Sequence, residues 1–461
     1  MKKVILIIIV LLATPAIIVA QAFQLPNYTS FTLPNGLVVN LMEQHEVPVI
    51  ALNVILPAGA IYDGEKAGLA SFTADALKLG TKNYTKTQLD EALDFVGANI
   101  NTTARKEYAS LNAKFAAKDS KEILNIVKDI LLYPTFDAAE FEKEKNRALV
   151  GLERQKESPR SIIPSYFDQL IYGNHVYGNI PQGTVATVGA LKASDLKEFY
   201  SANYSPNGSA ISIVGDFSSR EMKTMITKLF SEWKKSAIPK VNLASKPLPV
   251  FSESRVLLVN KDDAKETTFY IGSPGISRNN PEFVDISIIN TLFGGRFTSM
   301  LNDELRVNSG LTYGANSRFD ALKYGGSFTI STFTANETTE PAIDKALEVL
   351  NTLHSKGLDE QSLASAKNYV KGQFPPKYET ATQLSVLLGE MFWYDLDKSF
   401  INNFQKTVDA LDLKKANQII ETYFPKDKLQ IVLIGKASEI KKIAEKYGKV
   451  IETEINTYPK M

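Results

Sequence analysis

The sequence of 461 residues has no cysteine and only three histidines. Without cysteine, the chain cannot form disulfides, thiolate zinc sites or a catalytic thiol. The histidines His45, His175 and His354 are too far apart in sequence to share a helix face, so the chain has no HExxH or HxxEH zinc motif. No GxSxG, GxGxxG or P-loop motif supports a serine nucleophile or a nucleotide site.

An excess of charge of one sign is also lacking. Lys and Arg number 52 against 51 Asp and Glu, which gives a formal net charge of +1. Nucleic-acid binding usually requires a clustered basic surface, and we expect no nucleic-acid partner. Hydrophobic residues make up 44% of the chain, which is enough for a large core, and the length favours more than one domain.

The first 22 residues have the pattern of a secretory signal peptide. Lys2 and Lys3 precede an uncharged apolar run at 4–20, and a small-x-small site follows at 20–22. The alternative is an uncleaved anchor, since the apolar run approaches the length of a membrane span. We expect cleavage, no other membrane span, and an exported protein that is periplasmic or otherwise extracytoplasmic.

The remainder predicts two similar halves, at 23–235 and 251–461. They are joined by a proline-rich linker at 236–250, which discourages helix. Each half ends with a helix, a proline turn and an apolar strand that stops at glycine. Pro206 and Pro425 are 219 residues apart, and Gly215 and Gly435 are 220 apart. This ordered agreement indicates a duplication of about 220 residues.

Within a half, helical patterns alternate with short β-rich runs, which predicts an α+β fold with helices on an antiparallel sheet. The runs at 38–41 and 50–56 are expected to form neighbouring strands. Thr85 and Gln88 fit a capping box at a helix start, and Gly97 fits the end of that helix. The alternation at 328–331, after a turn at 324–326, predicts a half-buried strand.

The segments FTLPNGL at 31–37, PAGA at 57–60 and AGLA at 67–70 resemble the start of pitrilysin-type (insulinase) zinc peptidases. That family includes mitochondrial processing peptidase. The resemblance covers 28–450 and implies duplicated α+β halves in a clam-like arrangement.

In active members an HxxEH helix follows AGLA. Here Ser71, Ala74 and Asp75 stand where His, Glu and His are expected, and Gly151 stands at the third ligand, a Glu. Glu153, two residues on, points away on a helix. Catalytic zinc needs three protein ligands and a base for its water. The resemblance therefore implies a degenerate site, with no metal and no catalytic residue in this chain.

The segment GGRFTSMLNDELRVNSGLTY at 294–313 resembles the part of the family's non-zinc half that presents Arg and Tyr to substrate. Arg306 and Tyr313 match that pair. The spacing of the leucines predicts a helix that ends near 308–310, with Tyr313 opening the next strand. Without the resemblance, Arg306 would be a solvated charge and Tyr313 a half-buried sheet residue.

Three functions remain open from the sequence. The first is a non-catalytic, substrate-binding subunit of a two-chain zinc metallopeptidase, whose homologous partner supplies HxxEH and the zinc and whose substrate is a peptide. The second is a peptide-binding or structural protein on the same fold without such a partner. The third is a peptidase with unconventional metal ligands.

Overall fold

The computed structural model describes residues 23–237 and 247–458. The predicted signal peptide lies outside the described residues, as does 238–246, the larger part of the predicted linker. The described chain forms two six-stranded sheets covered by helices. This confirms the α+β class and the two similar halves.

The strands of the described residues are short and mostly buried. They are Thr29–Thr32 (β1), Val38–Glu43 (β2), Val49–Leu56 (β3), Asn99–Ala104 (β4), Ala109–Ala116 (β5), Ala210–Gly215 (β6), Arg255–Asn260 (β7), Glu266–Gly275 (β8), Asn316–Leu322 (β9), Gly325–Ala335 (β10), Gln430–Gly435 (β11) and Lys449–Glu454 (β12). The sheet orders are β1-β2-β6-β3-β5-β4 and β12-β7-β11-β8-β10-β9. Apart from β1 and β12, the two orders match strand for strand under the duplication.

Two details of the predicted sheets are wrong. The strands β2 and β3 are not neighbours, because β6 lies between them, parallel to β2 and antiparallel to β3. The sheets are therefore mixed, and β7 likewise pairs in parallel with both β11 and β12. A strand that arrives after a long helical excursion can enter beside β2 in the parallel sense, which a hairpin cannot do.

The helices of the described residues cover both sheets. They are Leu69–Ala76 (α1), Lys86–Phe95 (α2), Ser120–Leu132 (α3), Ala138–Gln155 (α4), Pro159–Tyr172 (α5), Val185–Ala190 (α6), Ala193–Asn203 (α7), Ser219–Phe230 (α8), Phe283–Asn290 (α9), Met300–Asn302 (α10), Thr339–Lys356 (α11), Glu360–Gln373 (α12), Ala381–Trp393 (α13), Ser399–Asn402 (α14), Phe404–Ala410 (α15), Leu413–Tyr423 (α16) and Ala437–Ala444 (α17). The predicted capping box is confirmed: the Gln88 backbone N–H donates to Thr85 Oγ1 at 3.3 Å, and the Thr85 N–H donates to Gln88 Oε1 at 3.0 Å. Gly97 follows α2 with a φ of +65°.

The halves exchange a helix. From the first half, α5 packs through Ile163 and Phe167 on the second sheet. From the second half, α13 packs through Leu384 and Leu388 on the first sheet. Gly389 permits this approach, since a Cβ there would lie 2.1 Å from Asn53 Oδ1 of β3. Each sheet thus needs the other half to cover one of its faces.

This exchange also corrects the prediction for 328–331. Both faces of β10 are covered, so Thr329, at 2% exposed, is as buried as Phe328 and Ile330. The predicted turn is a two-residue loop, Lys323 and Tyr324, because Leu322 of β9 pairs with Gly325 of β10.

Candidate functional site

The helix α1 carries the first three of the four degenerate positions. It begins after Gly68, whose φ of +96° favours glycine. The buried Asp63 carboxylate caps the start of this helix: Oδ2 accepts from the Gly68 N–H at 3.0 Å, and Oδ1 accepts from the Ala70 N–H at 2.8 Å. Burial outweighs these hydrogen bonds and raises the pKa of Asp63 to about 7. The capped start fixes which side chains of α1 face α4.

A cavity of about 660 Å³ lies between α1, α2 and α4, beside the edge strand β4. Ser71, Asp75 and Gly151 line this cavity, so the fold brings these three positions together. Ala74 is only 1% exposed and does not line it. A Cβ at Gly151 would meet no atom within 4 Å. The space that a ligand side chain would need is therefore retained.

The electrostatics of the cavity centre on Asp75. Much of its side chain is open to the cavity, yet the surrounding protein limits its hydration and raises its pKa to about 6. Lys78 opposes this shift, and Glu144 on α4 adds to it. Glu144 forms an ion pair with Arg147, and both line the cavity. Glu144 was not among the residues predicted from the sequence, although it precedes Gly151 by seven residues, a spacing that places both on one helix face.

The donor set does not fit a catalytic zinc. Serine, alanine and glycine offer no imidazole or carboxylate at three of the four family positions. Glu153 pairs with Lys156 at 3.3 Å and does not line the cavity. Within 23–237 and 247–458, no group of three or more ligating side chains could hold a metal ion.

The second half places Arg306 and Tyr313 on its surface. Arg306 lies in a π-helical turn at Asp303–Asn308, as the predicted helix end required, and its guanidinium carbon is 4.6 Å from the ring centroid of Phe297. Tyr313 is 82% exposed and lies in the loop before β9, because that strand begins at Asn316, three residues later than predicted. It is therefore not a half-buried sheet residue.

Tyr313 adjoins the first half through an aromatic and cationic stack. Its ring stacks on Phe333 at a centroid separation of 6.5 Å. The guanidinium carbon of Arg160, at the start of α5, lies 3.2 Å from the centroid of the same Phe333 ring. Gln155, at the end of α4, lines the large cavity. Four residues of chain, 156–159, thus separate the cavity wall at Gln155 from the stack that Arg160 forms with Phe333 and Tyr313.

Comparison with known families gives two matches that together span most of the chain. Residues 38–183 match the model described as insulinase (peptidase family M16), and residues 190–370 match the model described as the peptidase M16 inactive domain. The chain belongs to the M16 family. The inactive-domain match and the lost ligands together describe a non-catalytic M16 member.

Individual M16 relatives align over nearly their whole length. The uncharacterized zinc protease YmxG of Bacillus subtilis is 24% identical over 86% of this chain and 96% of its own. The non-peptidase homolog YmxG of Helicobacter pylori is 23% identical over 87% and 94%. A crystal structure of a peptidase M16 inactive domain from Pseudomonas fluorescens superposes with a TM-score of 0.83 at 24% identity, covering 89% of this chain and 98% of its own. These similarities confirm the fold.

No helix of the described residues has the length and apolar character that a membrane span requires.

Proposed function

We propose that this chain is the non-catalytic, substrate-binding subunit of an exported two-chain zinc metallopeptidase. A homologous partner carries HxxEH and the zinc, and this chain supplies part of the wall against which a peptide is held. The observation that carries the proposal is the combination, in one chain, of a retained cavity lacking its ligands with a partly exposed Arg306 and an exposed Tyr313 in the second half.

The chemistry assigned to this surface is hydrogen-bond donation. The Arg306 guanidinium and the Tyr313 hydroxyl both donate, and a peptide carbonyl accepts more strongly as negative charge develops on its oxygen. Within the described residues the Tyr313 hydroxyl makes no hydrogen bond, so it is available to a substrate. Donors placed in this way fix the register of the peptide and favour the transition state over the ground state.

The test is coexpression with an HxxEH-bearing M16 chain from the same cell. We expect a discrete complex of two chains by light scattering and peptidase activity that neither chain shows alone. A fully active partner that stays separate from this chain would refute the proposal. It would leave the second candidate, a peptide-binding protein without a peptidase partner.

A further inference from the structure

A second cavity, of about 470 Å³, lies in the second half between α9, α12 and the short helices α14 and α15. Its walls are largely aromatic, formed by Phe283, Tyr369, Phe374, Tyr378, Phe400 and Phe404. Two cations, Arg278 and Lys377, line it, and none of its lining residues is Asp or Glu. The cavity is therefore largely apolar, with positive charge and no carboxylate in its lining.

Arg278 is held between two aromatic rings of this cavity. Its guanidinium carbon lies 4.1 Å from the ring centroid of Phe283 and 4.5 Å from that of Phe400. Its backbone N–H donates to the Leu322 carbonyl of β9 at 2.8 Å. Aromatic faces hold a guanidinium by cation–π attraction without using its N–H donors. The group is therefore positioned while its donors stay available.

Within the part of the chain that the structure describes, those donors have no hydrogen-bond partner. The Nη1 atom of Arg278 is buried without a hydrogen bond, and within the described residues the guanidinium forms no ion pair. Burial lowers the pKa of Arg278, and Glu390 opposes that shift only from beyond ion-pair distance. A partly buried cation without a paired anion is unfavourable, and an anion that enters the cavity would remove that cost.

Two hydroxyl groups of the cavity, those of Ser287 and Thr291, add little competition. The Ser287 hydroxyl donates to the Phe283 carbonyl at 2.7 Å, and the Thr291 hydroxyl donates to the Ser287 carbonyl at 2.8 Å. Both are satisfied by their own helix. A ligand body against the aromatic walls therefore meets mainly apolar surface.

We propose that this cavity binds a small monocarboxylate with an apolar body. The carboxylate pairs with Arg278, since a guanidinium recognises a planar carboxylate through two parallel hydrogen bonds. The body lies against the aromatic wall, and the exposed Lys377 adds positive charge at the rim. The volume lies in the range of small-molecule sites, about 300–1,000 Å³.

The first measurement is calorimetric titration of the full chain with decanoate and with decanol, which share an apolar body and differ in charge. We expect saturable one-to-one binding of decanoate and at least about tenfold weaker binding of decanol, because a charged hydrogen bond contributes about 1.5–3 kcal/mol. N-acetyl-leucyl-phenylalanine and its C-terminal amide form a parallel arm, which shows whether a peptide carboxylate is also accepted. No saturable binding of decanoate, or equal binding of decanoate and decanol, would overturn the proposal.

Variants then locate the ligand. Arg278→Met keeps an unbranched chain between the two rings and removes the charge, so decanoate binding should fall at least about tenfold while decanol binding stays the same. Ser287→Phe fills the cavity and should abolish binding of both probes. Arg220→Met, on the exposed surface of α8, is the matched control and should bind as the unchanged protein does. Melting curves establish that each variant is folded. Undiminished decanoate binding in folded Arg278→Met, or in folded Ser287→Phe, would overturn the assignment.

Discussion

The hydroxyl of Tyr313 offers the sharpest test of the proposed substrate wall. Tyr313 is 82% exposed, and its ring contacts Phe333 through the face, so Tyr313→Phe removes one oxygen atom and no packing. Substitutions at such exposed positions change the free energy of unfolding by about 0.5 kcal/mol or less. If the hydroxyl donates to the reacting carbonyl, its loss costs about 2.7–4 kcal/mol of transition-state stabilisation, or about 10²–10³ in rate. Tyr313→Phe should therefore lower turnover by well over tenfold while the free energy of unfolding stays nearly unchanged.

Arg306→Ala should behave differently in one respect. Its guanidinium stacks over Phe297, and an exposed cation–π contact contributes about 0.5–1 kcal/mol, so this variant loses some stability as well as turnover. The assay is steady-state kinetics on the assembled complex, with melting curves and zinc content measured on the same samples. Tyr324→Phe, on the β9–β10 loop and 46% exposed, is the matched control and should retain full turnover.

The alternative is that Arg306 and Tyr313 only support the surrounding structure. Turnover would then fall only in variants whose melting temperature also falls, and Tyr313→Phe would change neither turnover nor melting temperature. A folded Tyr313→Phe, Arg306→Ala double variant with undiminished turnover would refute the assignment of this surface to substrate.

Two further predictions concern metal and pH. The isolated chain should hold no tightly bound zinc. The triple variant Ser71→His, Asp75→His, Gly151→Glu should bind about one zinc per chain, because all three positions face one cavity. Metal analysis of both proteins tests this, and stoichiometric zinc in the unchanged chain would contradict it. Since burial raises the pKa of Asp63 from 3.8 to about 7, the folded chain binds the proton more tightly, so this group's stabilising contribution is complete below about pH 4 and is lost as pH rises through 7. Asp63→Asn should flatten that part of the stability curve in urea unfolding between pH 4 and 8, and an unchanged pH dependence would show that Asp63 is not its source.

Local sequence signals predicted local structure well. The capping box of Thr85 and Gln88 and the helix end at Gly97 depend on a few adjacent residues, and the structure contains both. The arrangement of strands was less accessible. The insertion of β6 between β2 and β3 joins residues more than 150 positions apart, and both β3 and β6 are mostly apolar, with one polar residue each. Such strands can pair with many partners, so composition alone does not specify the order.

The candidate sites were predictable to different degrees. Ser71, Asp75 and Gly151 could be placed together because their spacing on α1 and α4 resembles a family pattern. Glu144 could have been found from helix periodicity alone. The Arg278 cavity left no such trace, because Phe283 and Phe400 reach it from elements 117 residues apart. Contacts of this kind arise only when the fold is assembled.

The four substituted positions of the zinc site differ in the energetic cost that each replacement residue imposes on the folded chain. Ser71, Asp75 and Gly151 face an open cavity, where a small or polar side chain costs little, and Asp75 can remain partly hydrated. Ala74 is only 1% exposed and packs within the first core. A carboxylate at that position, with no metal-bound water to donate a hydrogen bond to it, would be buried without a partner at a cost of several kcal/mol. Alanine avoids this cost, so the loss of the general base follows physically from the loss of the metal ligands. The cavity itself can remain without any further substitution, because its open walls tolerate the other three replacements.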